Sequence, residues 1–193
     1  MSKKLTEQQI RKVAAENGID YASLRAVIDV EARGSGFFSN GLPAILFERH
    51  VFWRRLGAIR WFTMRARIMA LHPRVCNPIA GGYGRFSEQH TKLEIAASYN
   101  RDVALESASW GLGQVMGYHW RSLGYASLQE FINAMYHSEY KQLDAMVRFL
   151  KVNGLIDRLN RQDWSGFAYR YNGAGYARNN YDEKLAQAYR KYR

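Results

Sequence analysis

Glu31 is the side chain of this sequence best placed to donate a proton in a reaction. It closes the apolar stripe of a predicted helix that begins after Asp20. The other members of that stripe are Tyr21, Leu24, Val27 and Ile28. A carboxyl group in this position is partly desolvated, which raises its pKa and keeps it protonated near neutral pH, as a general acid requires. The spacing also fits a structural carboxylate paired with Arg25 or Arg33, and periodicity alone favours that alternative.

Two later stretches combine glycines with aromatic and amide side chains. In residues 107–117, three glycines allow close approach to the backbone, Trp110 offers an apolar plate, and Gln114 can donate and accept hydrogen bonds to sugar hydroxyl or acetamido groups. Residues 169–176 form an aromatic-rich turn with an amide at its centre, and Tyr181 follows shortly. A helix–turn–helix junction with a core tryptophan explains the first stretch about as well, and a helix C-cap glycine beside core tyrosines explains the second about as well.

The elements that must position these residues are predicted to be mainly helical. Capping boxes begin helices after Thr6 and Ser127, and apolar residues at helical spacing continue both. A short extended segment is predicted at 42–47, with loops at 34–41 and 72–85. The predicted helices cover about 7–17, 21–31, 50–56, 59–71, 87–100, 102–108, 118–123, 128–136, 139–152, 163–173 and 180–192.

The overall composition is that of a basic globular protein. With 193 residues and 47% hydrophobic residues, the chain is long enough to form one domain with its own core. A formal charge of +11, from 28 Lys and Arg against 17 Asp and Glu, favours an anionic partner, such as nucleic acid, anionic lipid or a bacterial envelope polymer. The basic residues are spread over 54–67, 158–161 and 184–193, which argues against a detachable nucleic-acid arm.

Several classes of site and location are disfavoured by the sequence. The single cysteine, Cys76, rules out an intrachain disulfide, and the five histidines form no close ligand pair, so we expect no metal. A phosphate-binding glycine loop is missing, so we expect no cofactor. The polar N-terminus lacks a signal sequence, which predicts synthesis in a host cytoplasm and a separate factor that gives access to any external target.

Four separated stretches occur in an order that resembles a known family. They are residues 30–37, 43–50, 107–117 and 167–172, and they place an acid at the end of an early helix, then a Gly-Leu-Gly-Gln loop, then a Tyr-Asn turn. This order resembles the lysozyme-like superfamily of lytic transglycosylases and goose-type lysozymes. More narrowly it is similar to the N-acetylmuramidase family common among bacteriophage endolysins, over about residues 19–189.

The resemblance implies a fold, a substrate and a set of site residues. It implies a mainly α, lysozyme-like domain with at most a small β-hairpin or short sheet near residues 36–48. Residues 1–193 would form one catalytic domain without a separate wall-binding module, acting as a monomer on peptidoglycan glycan strands. Glu31 becomes the general acid that cleaves the MurNAc–GlcNAc β-1,4 bond. The resemblance implies that Gln114, Met116, Tyr171 and Asn172 lie in the glycan cleft. Residue type adds two aromatic side chains, Trp110 and Tyr176, as predicted sugar-binding residues.

Glycoside hydrolysis also needs a nucleophile or a base opposite the acid. We predict Glu48 for that role and Glu106 as the second choice, while a structural pairing of Glu48 with Arg49 or His50 remains the alternative. Because Ala32 follows Glu31 where transglycosylases carry Ser, the outcome with anhydro-MurNAc ends is the alternative to hydrolysis.

Two further hypotheses follow from the charge. A nucleic-acid-binding helical protein would leave the loop at 107–117 unexplained, so we expect no nucleic-acid partner. Anionic envelope contact through the basic surface and the C-terminal helix is compatible with the enzyme as an accessory property.

Overall fold

The computed structural model of the protein describes residues 3–31 and 35–193. Its eleven α-helices within these residues are α1 (Glu7–Glu16), α2 (Tyr21–Glu31), α3 (Arg49–Ala58), α4 (Phe62–Leu71), α5 (Gln89–Tyr99), α6 (Arg101–Glu106), α7 (Leu128–His137), α8 (Glu139–Val152), α9 (Ile156–Asn160), α10 (Trp164–Asn172) and α11 (Tyr181–Arg190). Short 3₁₀ helices span Phe86–Glu88, Gly117–His119 and Ala174–Asn179. The prediction of a mainly α fold is confirmed.

Three short strands form one antiparallel sheet in the order β1, β2, β3. Strand β1 (Ile45–Phe47) pairs with β2 (Ala108–Trp110), and β2 pairs with β3 (Val115–Met116). The prediction of a short sheet near residues 36–48 therefore holds for β1. The other two strands come from a stretch predicted as a helix end and a loop, because their pairing with β1 is not visible in local spacing.

Helix starts follow the predicted caps. Thr6 and Gln9 form a complete capping box at α1, and the Ser127 hydroxyl accepts the Glu130 backbone N–H at α7. Helix α8 has the predicted bounds, Glu139–Val152. The predicted helix at 102–108 ends two residues too late, since α6 ends at Glu106, Ser107 is its C-cap and Ala108 begins β2. The predicted helix at 118–123 is a 3₁₀ turn followed by turns, and local spacing does not predict α9.

The core joins the sheet to the helices around it. Its largest fully buried side chains include Trp110, Phe47, Phe52, Phe131 and Phe167. Helix α11 packs along α2, so the C-terminal helix supports the helix that ends at the candidate acid. Cys76 is also buried, and burial raises the pKa of its thiol to about 11, against a smaller opposing effect of Arg65.

Candidate active site

A cleft of about 660 Å³ lies where the sheet meets α2 and α11. Glu31 lines it from α2, Ser109 from β2, Gln114 from the loop between β2 and β3, and Tyr181 from the start of α11. Its lining is more apolar than polar, with one described carboxyl group, that of Glu31. The cleft therefore brings together the acid and the amide that the sequence singled out.

Glu31 sits beside two tyrosines contributed by the C-terminal helices. The Tyr171 hydroxyl donates to the carbonyl oxygen of Gly113 at 2.8 Å, which ties α10 to the β2–β3 loop. Burial raises the pKa of Tyr171 well above its usual value, and the negative charges of Glu31 and Tyr181 raise it further. Tyr171 thus stays neutral and donates a hydrogen bond next to the Glu31 carboxyl group.

Arg33, one of the two predicted structural partners of Glu31, lies outside the described residues. The other, Arg25, forms ion pairs with Glu7 and Asp29 at 3.8 and 3.5 Å. The guanidinium group of Arg25 also lies over the Tyr192 ring. Its described pairs thus connect α1, α2 and the C-terminal residues.

Gln114 is held in an unusual backbone conformation. Its φ of 47° lies in the left-handed region that non-glycine residues rarely adopt. Its side chain accepts a hydrogen bond from Ser109 Oγ at 2.9 Å and donates to the carbonyl oxygen of Gly111 at 2.8 Å. These contacts fix the direction of the amide, so the side chain loses little conformational entropy when a ligand binds.

Two polar side chains of α8 hold the loops that border the cleft. The Gln142 side chain, 1% exposed, accepts the Leu112 N–H at 3.0 Å and donates to the carbonyl oxygens of Gly36 and Met135 at 3.0 and 2.8 Å. Glu139, 4% exposed, accepts the N–H of Gly36 at 3.0 Å. One helix turn thus fixes the segment after Glu31 and the segment before Gln114.

Glu139 remains ionised despite its burial. Desolvation raises its pKa. Hydrogen bonds from the N–H groups of Leu5 and Gly36 and from the Ser35 hydroxyl, together with the Lys4 charge, lower the pKa by a larger amount. The net effect is a pKa below the usual value. A carboxylate that accepts several N–H and O–H donors is a strong anchor for a loop.

The two loops require glycine where they meet Gln142. A Cβ atom at Gly36 would lie 1.8 Å from Gln142 Oε1, and one at Gly111 would lie 2.6 Å from Gln142 Cδ. Gly111 also has a φ of 65°. The amide therefore fills space that any larger residue at either position would need.

A third loop, residues 81–86, borders the cleft with Tyr83, Gly84 and Phe86. Polar side chains of α5 hold this loop. The fully buried Gln89 donates to the carbonyl oxygens of Tyr83 and Arg85 at 2.7 and 3.0 Å and accepts the Phe47 N–H at 3.0 Å. Lys92 donates to the carbonyl oxygens of Gly82 and Tyr83.

Glu48 lies behind this loop. Its pKa is raised by desolvation and lowered to a lesser degree by His50 and by a hydrogen bond from the Tyr83 hydroxyl. His50 Nδ1 is 3.2 Å from Glu48 Oε2. Tyr83 lines the cleft, whereas Glu48 is absent from the described lining. Glu106, the second choice, accepts hydrogen bonds from Arg55 and Trp120 away from the cleft.

Other predicted binding residues lie apart from the lining. The Trp110 prediction needs correction, because the ring is 1% exposed in the core and its N–H donates to the Leu105 carbonyl oxygen at 3.0 Å, so it presents no face to a sugar. Met116 is half-buried in β3. Asn172 is exposed at the end of α10, and Tyr176 is half-buried with its ring 6.3 Å from that of Tyr169.

Sequence reasoning missed Tyr83, Ser109 and Gln89 as lining residues. Tyr83 stands between Gly82 and Gly84 in a predicted loop, and an aromatic residue among glycines is the signal that could have identified it. Ser109 and Gln89 carry no such signal, since their place depends on long-range pairing.

Comparison with known proteins now identifies the family. A sequence model described as N-acetylmuramidase matches residues 20–193. The chain belongs to the N-acetylmuramidase family. The crystal structure of the Burkholderia AP3 phage endolysin is similar to this muramidase, with a TM-score of 0.89 and 38% identity over 100% of this chain and 72% of the other. No curated protein sequence matches the chain.

The family and the structural neighbour confirm the predicted enzyme class and the predicted function. This muramidase is a glycoside hydrolase of the lysozyme type and a peptidoglycan-cleaving endolysin. The family match and the structural neighbour do not favour the alternatives of a transglycosylase or a nucleic-acid-binding protein. None of the helices in the described part of the chain could cross a membrane.

Proposed function

We propose that this muramidase cleaves the MurNAc–GlcNAc β-1,4 bond with Glu31 as the general acid. The observation that carries the proposal is the position of Glu31 in the cleft that Gln114 and Tyr181 also line, close to the neutral Tyr171. A protonated Glu31 would give its proton to the glycosidic oxygen as the bond to the MurNAc anomeric carbon breaks. Water then adds to that carbon and gives a proton to the Glu31 carboxylate, which leaves a reducing MurNAc end and regenerates the acid.

The Glu31 assignment is tested by Glu31→Gln on purified peptidoglycan. We expect kcat to fall by at least about a hundredfold, because the amide has no proton to give, while the thermal melt stays similar. Glu16→Gln is the matched control, since Glu16 ends α1 with an exposed side chain, and it should keep full activity. Wild-type turnover in a folded Glu31→Gln enzyme would reject the assignment.

We propose that Glu48 is a positioning residue that acts through Tyr83. The support is its hydrogen bond from Tyr83 and its pairing with His50, at a site behind the cleft wall. On this proposal, Glu48→Gln and Tyr83→Phe each lower kcat/KM by less than about tenfold and leave the pH profile unchanged. A base would give a different result: Glu48→Gln would lose orders of magnitude in kcat together with the acidic limb of the profile.

The product identifies the reaction outcome. Mass spectrometry of digested peptidoglycan should find reducing MurNAc ends, whereas a transglycosylase would leave anhydro ends that lack one water.

We propose that Gln114 and Tyr181 contact the glycan near the cleaved bond, since both line the cleft with Glu31. Gln114→Ala should raise KM, and an unchanged KM would contradict the contact.

We infer that the enzyme reaches the wall after a separate factor opens the host membrane. The support is the similarity to a phage endolysin, together with a substrate, peptidoglycan, that lies in the cell wall. Expression in a bacterial cytoplasm should cause lysis only when a pore-forming protein is produced with it. Lysis by the muramidase alone would overturn this inference.

A further inference from the structure

Two phenylalanine rings from separate segments of the chain line the cleft together. Phe38 follows α2 and Phe86 precedes α5, and both belong to the cleft lining. Their ring centroids are 6.3 Å apart, with the ring planes tilted by 53°. Phe86 is still 59% exposed, although it contacts Phe38. A large aromatic ring that lines a cleft and remains in water gains free energy when a ligand covers it.

Phe38 supports the exposed ring from one side. Its backbone N–H donates to the carbonyl oxygen of Leu42 at 2.8 Å, which closes a turn around it. The His90 ring of α5 lies 5.9 Å from the Phe38 ring, at an interplanar angle of 85°. His90 Nε2 is also 2.9 Å from the carbonyl oxygen of Pro43. Phe38 is therefore held against α5 and gives Phe86 a fixed neighbour.

The backbone at Phe86 is anchored as well. Phe86 begins the 3₁₀ helix that leads into α5. The Arg85 N–H donates to the Glu88 carboxylate at 3.3 Å, and Gln89 donates to the Arg85 carbonyl oxygen at 3.0 Å. The Phe86 ring thus projects from a held backbone, and its exposed side chain can turn toward a ligand.

The charges of the cleft indicate which part of peptidoglycan these rings contact. Apart from Glu31, the described lining contains no charged side chain. The stem peptides of peptidoglycan carry carboxylates, which bind best to cationic partners. The sugars of the glycan strand instead present C–H faces together with neutral hydroxyl and acetamido groups. A neutral cleft with exposed rings therefore fits the sugars better than the peptides.

Phe86 and the candidate acid lie beside different parts of the sheet. Tyr171, close to Glu31, donates to the carbonyl oxygen of Gly113 in the turn between β2 and β3. Helix α5, which follows Phe86, instead contacts the backbone of β1 through Gln89, and β1 is an edge strand of the sheet. The acid therefore belongs to the β2–β3 turn and the exposed ring to the β1 side.

We propose that Phe86, supported by Phe38, stacks on a sugar of the glycan strand outside the two sugars joined at the cleaved bond. This inference rests on the proposed cleavage with Glu31 as the acid. The ring covers the C–H face of that sugar. Phe86 is then a specificity-determining residue that favours long glycan strands, because a strand too short to reach it gains nothing from the contact.

The test measures kcat/KM on GlcNAc–MurNAc oligosaccharides of eight and of four sugars from which the stem peptides have been removed. We expect wild-type enzyme to prefer the octasaccharide. Phe86→Ala should lose about tenfold on the octasaccharide and clearly less on the tetrasaccharide. The matched control is Phe62→Ala, since Phe62 is 56% exposed on α4 and is not among the lining residues. It should keep both rates, and thermal melts of the two variants check folding.

The outcomes separate this inference from the proposed function. An unchanged rate in Phe86→Ala, or equal losses on the two oligosaccharides, would overturn the distant sugar contact. A loss on intact peptidoglycan alone would assign Phe86 to the stem peptide and overturn it too, as would wild-type cleavage of peptidoglycan without cleavage of either oligosaccharide. Failure of the proposed function looks different, since wild-type enzyme would then release no reducing MurNAc ends from any of the three substrates.

Two further variants test whether the flat ring itself matters. Phe86→Leu keeps an apolar side chain without a flat face and should lose about fivefold on the octasaccharide. Phe86→Tyr keeps the ring and should stay within about twofold of the wild-type rate. A wild-type rate in Phe86→Leu, or equal losses in the two variants, would overturn the stacking assignment.

Discussion

Two helices, α8 and α5, hold the cleft loops by the same kind of contact, but the loops that they hold differ. Helix α8 holds the segments at 35–36 and 111–112 through Gln142 and Glu139, which are almost completely buried. Helix α5 holds the loop at 81–86 through Gln89 and Lys92, which reach backbone carbonyl groups. Both helices therefore place polar groups inside the protein, where they position the backbone of the loops.

The difference lies in the loops themselves. The α8-held segments leave no space around Gln142, since a Cβ at either Gly36 or Gly111 would overlap its side chain. The α5-held loop has exposed aromatic rings, Tyr83 at 37% and Phe86 at 59%. We expect the first pair of segments to be fixed relative to Glu31 and the second loop to adjust to the glycan.

Gln142→Leu should produce the largest effect, because it removes the partner of one buried N–H and two buried carbonyl groups. At about 1–3 kcal/mol for each unsatisfied group, we expect a loss of about 4 kcal/mol in the free energy of unfolding, measured in urea, with a fall in kcat/KM. Gln129→Leu, at an exposed site on α7, should cost under about 0.5 kcal/mol. Equal stability of the two variants would contradict a fixed α8-held region.

Gly111→Ala should rank second. Its control is Gly154→Ala, because Gly154 has a similar φ of 62° but no atom within 4 Å of the added Cβ. The control should lose about 1 kcal/mol from backbone strain alone. Gly111→Ala should lose about 3 kcal/mol, because overlap with Gln142 adds to that strain. If the two melting curves shift equally, close packing against Gln142 is unimportant.

Lys92→Met should have a smaller effect, since it keeps the apolar stem and removes the ammonium group from the Gly82 and Tyr83 carbonyls. We expect a stability loss of about 1–2 kcal/mol and a rise in KM of about threefold, with kcat less affected. Lys141→Met at an exposed position on α8 should change neither. A larger loss than in Gln142→Leu would reverse the proposed ranking of the two regions.

Acid should weaken the α8-held region by protonating Glu139. Near neutral pH this is the smallest of the expected effects. Its pKa is lower in the folded protein than in the unfolded chain, so its stabilisation is complete above about pH 4.3 and is lost as the pH falls through the lower folded pKa. Wild-type protein should therefore lose more unfolding free energy between about pH 5 and pH 3 than Glu139→Gln does. Parallel pH curves in urea would show that Glu139 is not the anchor.

Local sequence patterns predict the parts of the site that depend on local structure. Glu31 closes a helical stripe, and Gln114 lies in a glycine-rich loop, so residue type and local spacing are enough to identify both. Helix α8 has its predicted bounds and an apolar stripe that includes Leu143 and Met146. Its buried polar residues escape prediction, because periodicity treats Gln142 as a surface residue.

The remaining site residues depend on contacts far along the chain. Gln142 is buried because residues 36 and 112 return to α8, and Ser109 faces the cleft because β2 pairs with β1. The residue type of Trp110 suggests sugar binding, yet the same strand pairing turns its ring into the core. Residue type and local spacing do not predict these long-range contacts.

The buried Cys76 makes the protein suitable for site-specific labelling. Its thiol is inaccessible, and a pKa of about 11 leaves it almost entirely protonated at neutral pH. Maleimide and similar thiol reagents should therefore not react with it. A cysteine introduced at an exposed position such as Phe62 would then be the single reactive thiol. A fluorophore attached there would report directly on the polarity of its surroundings.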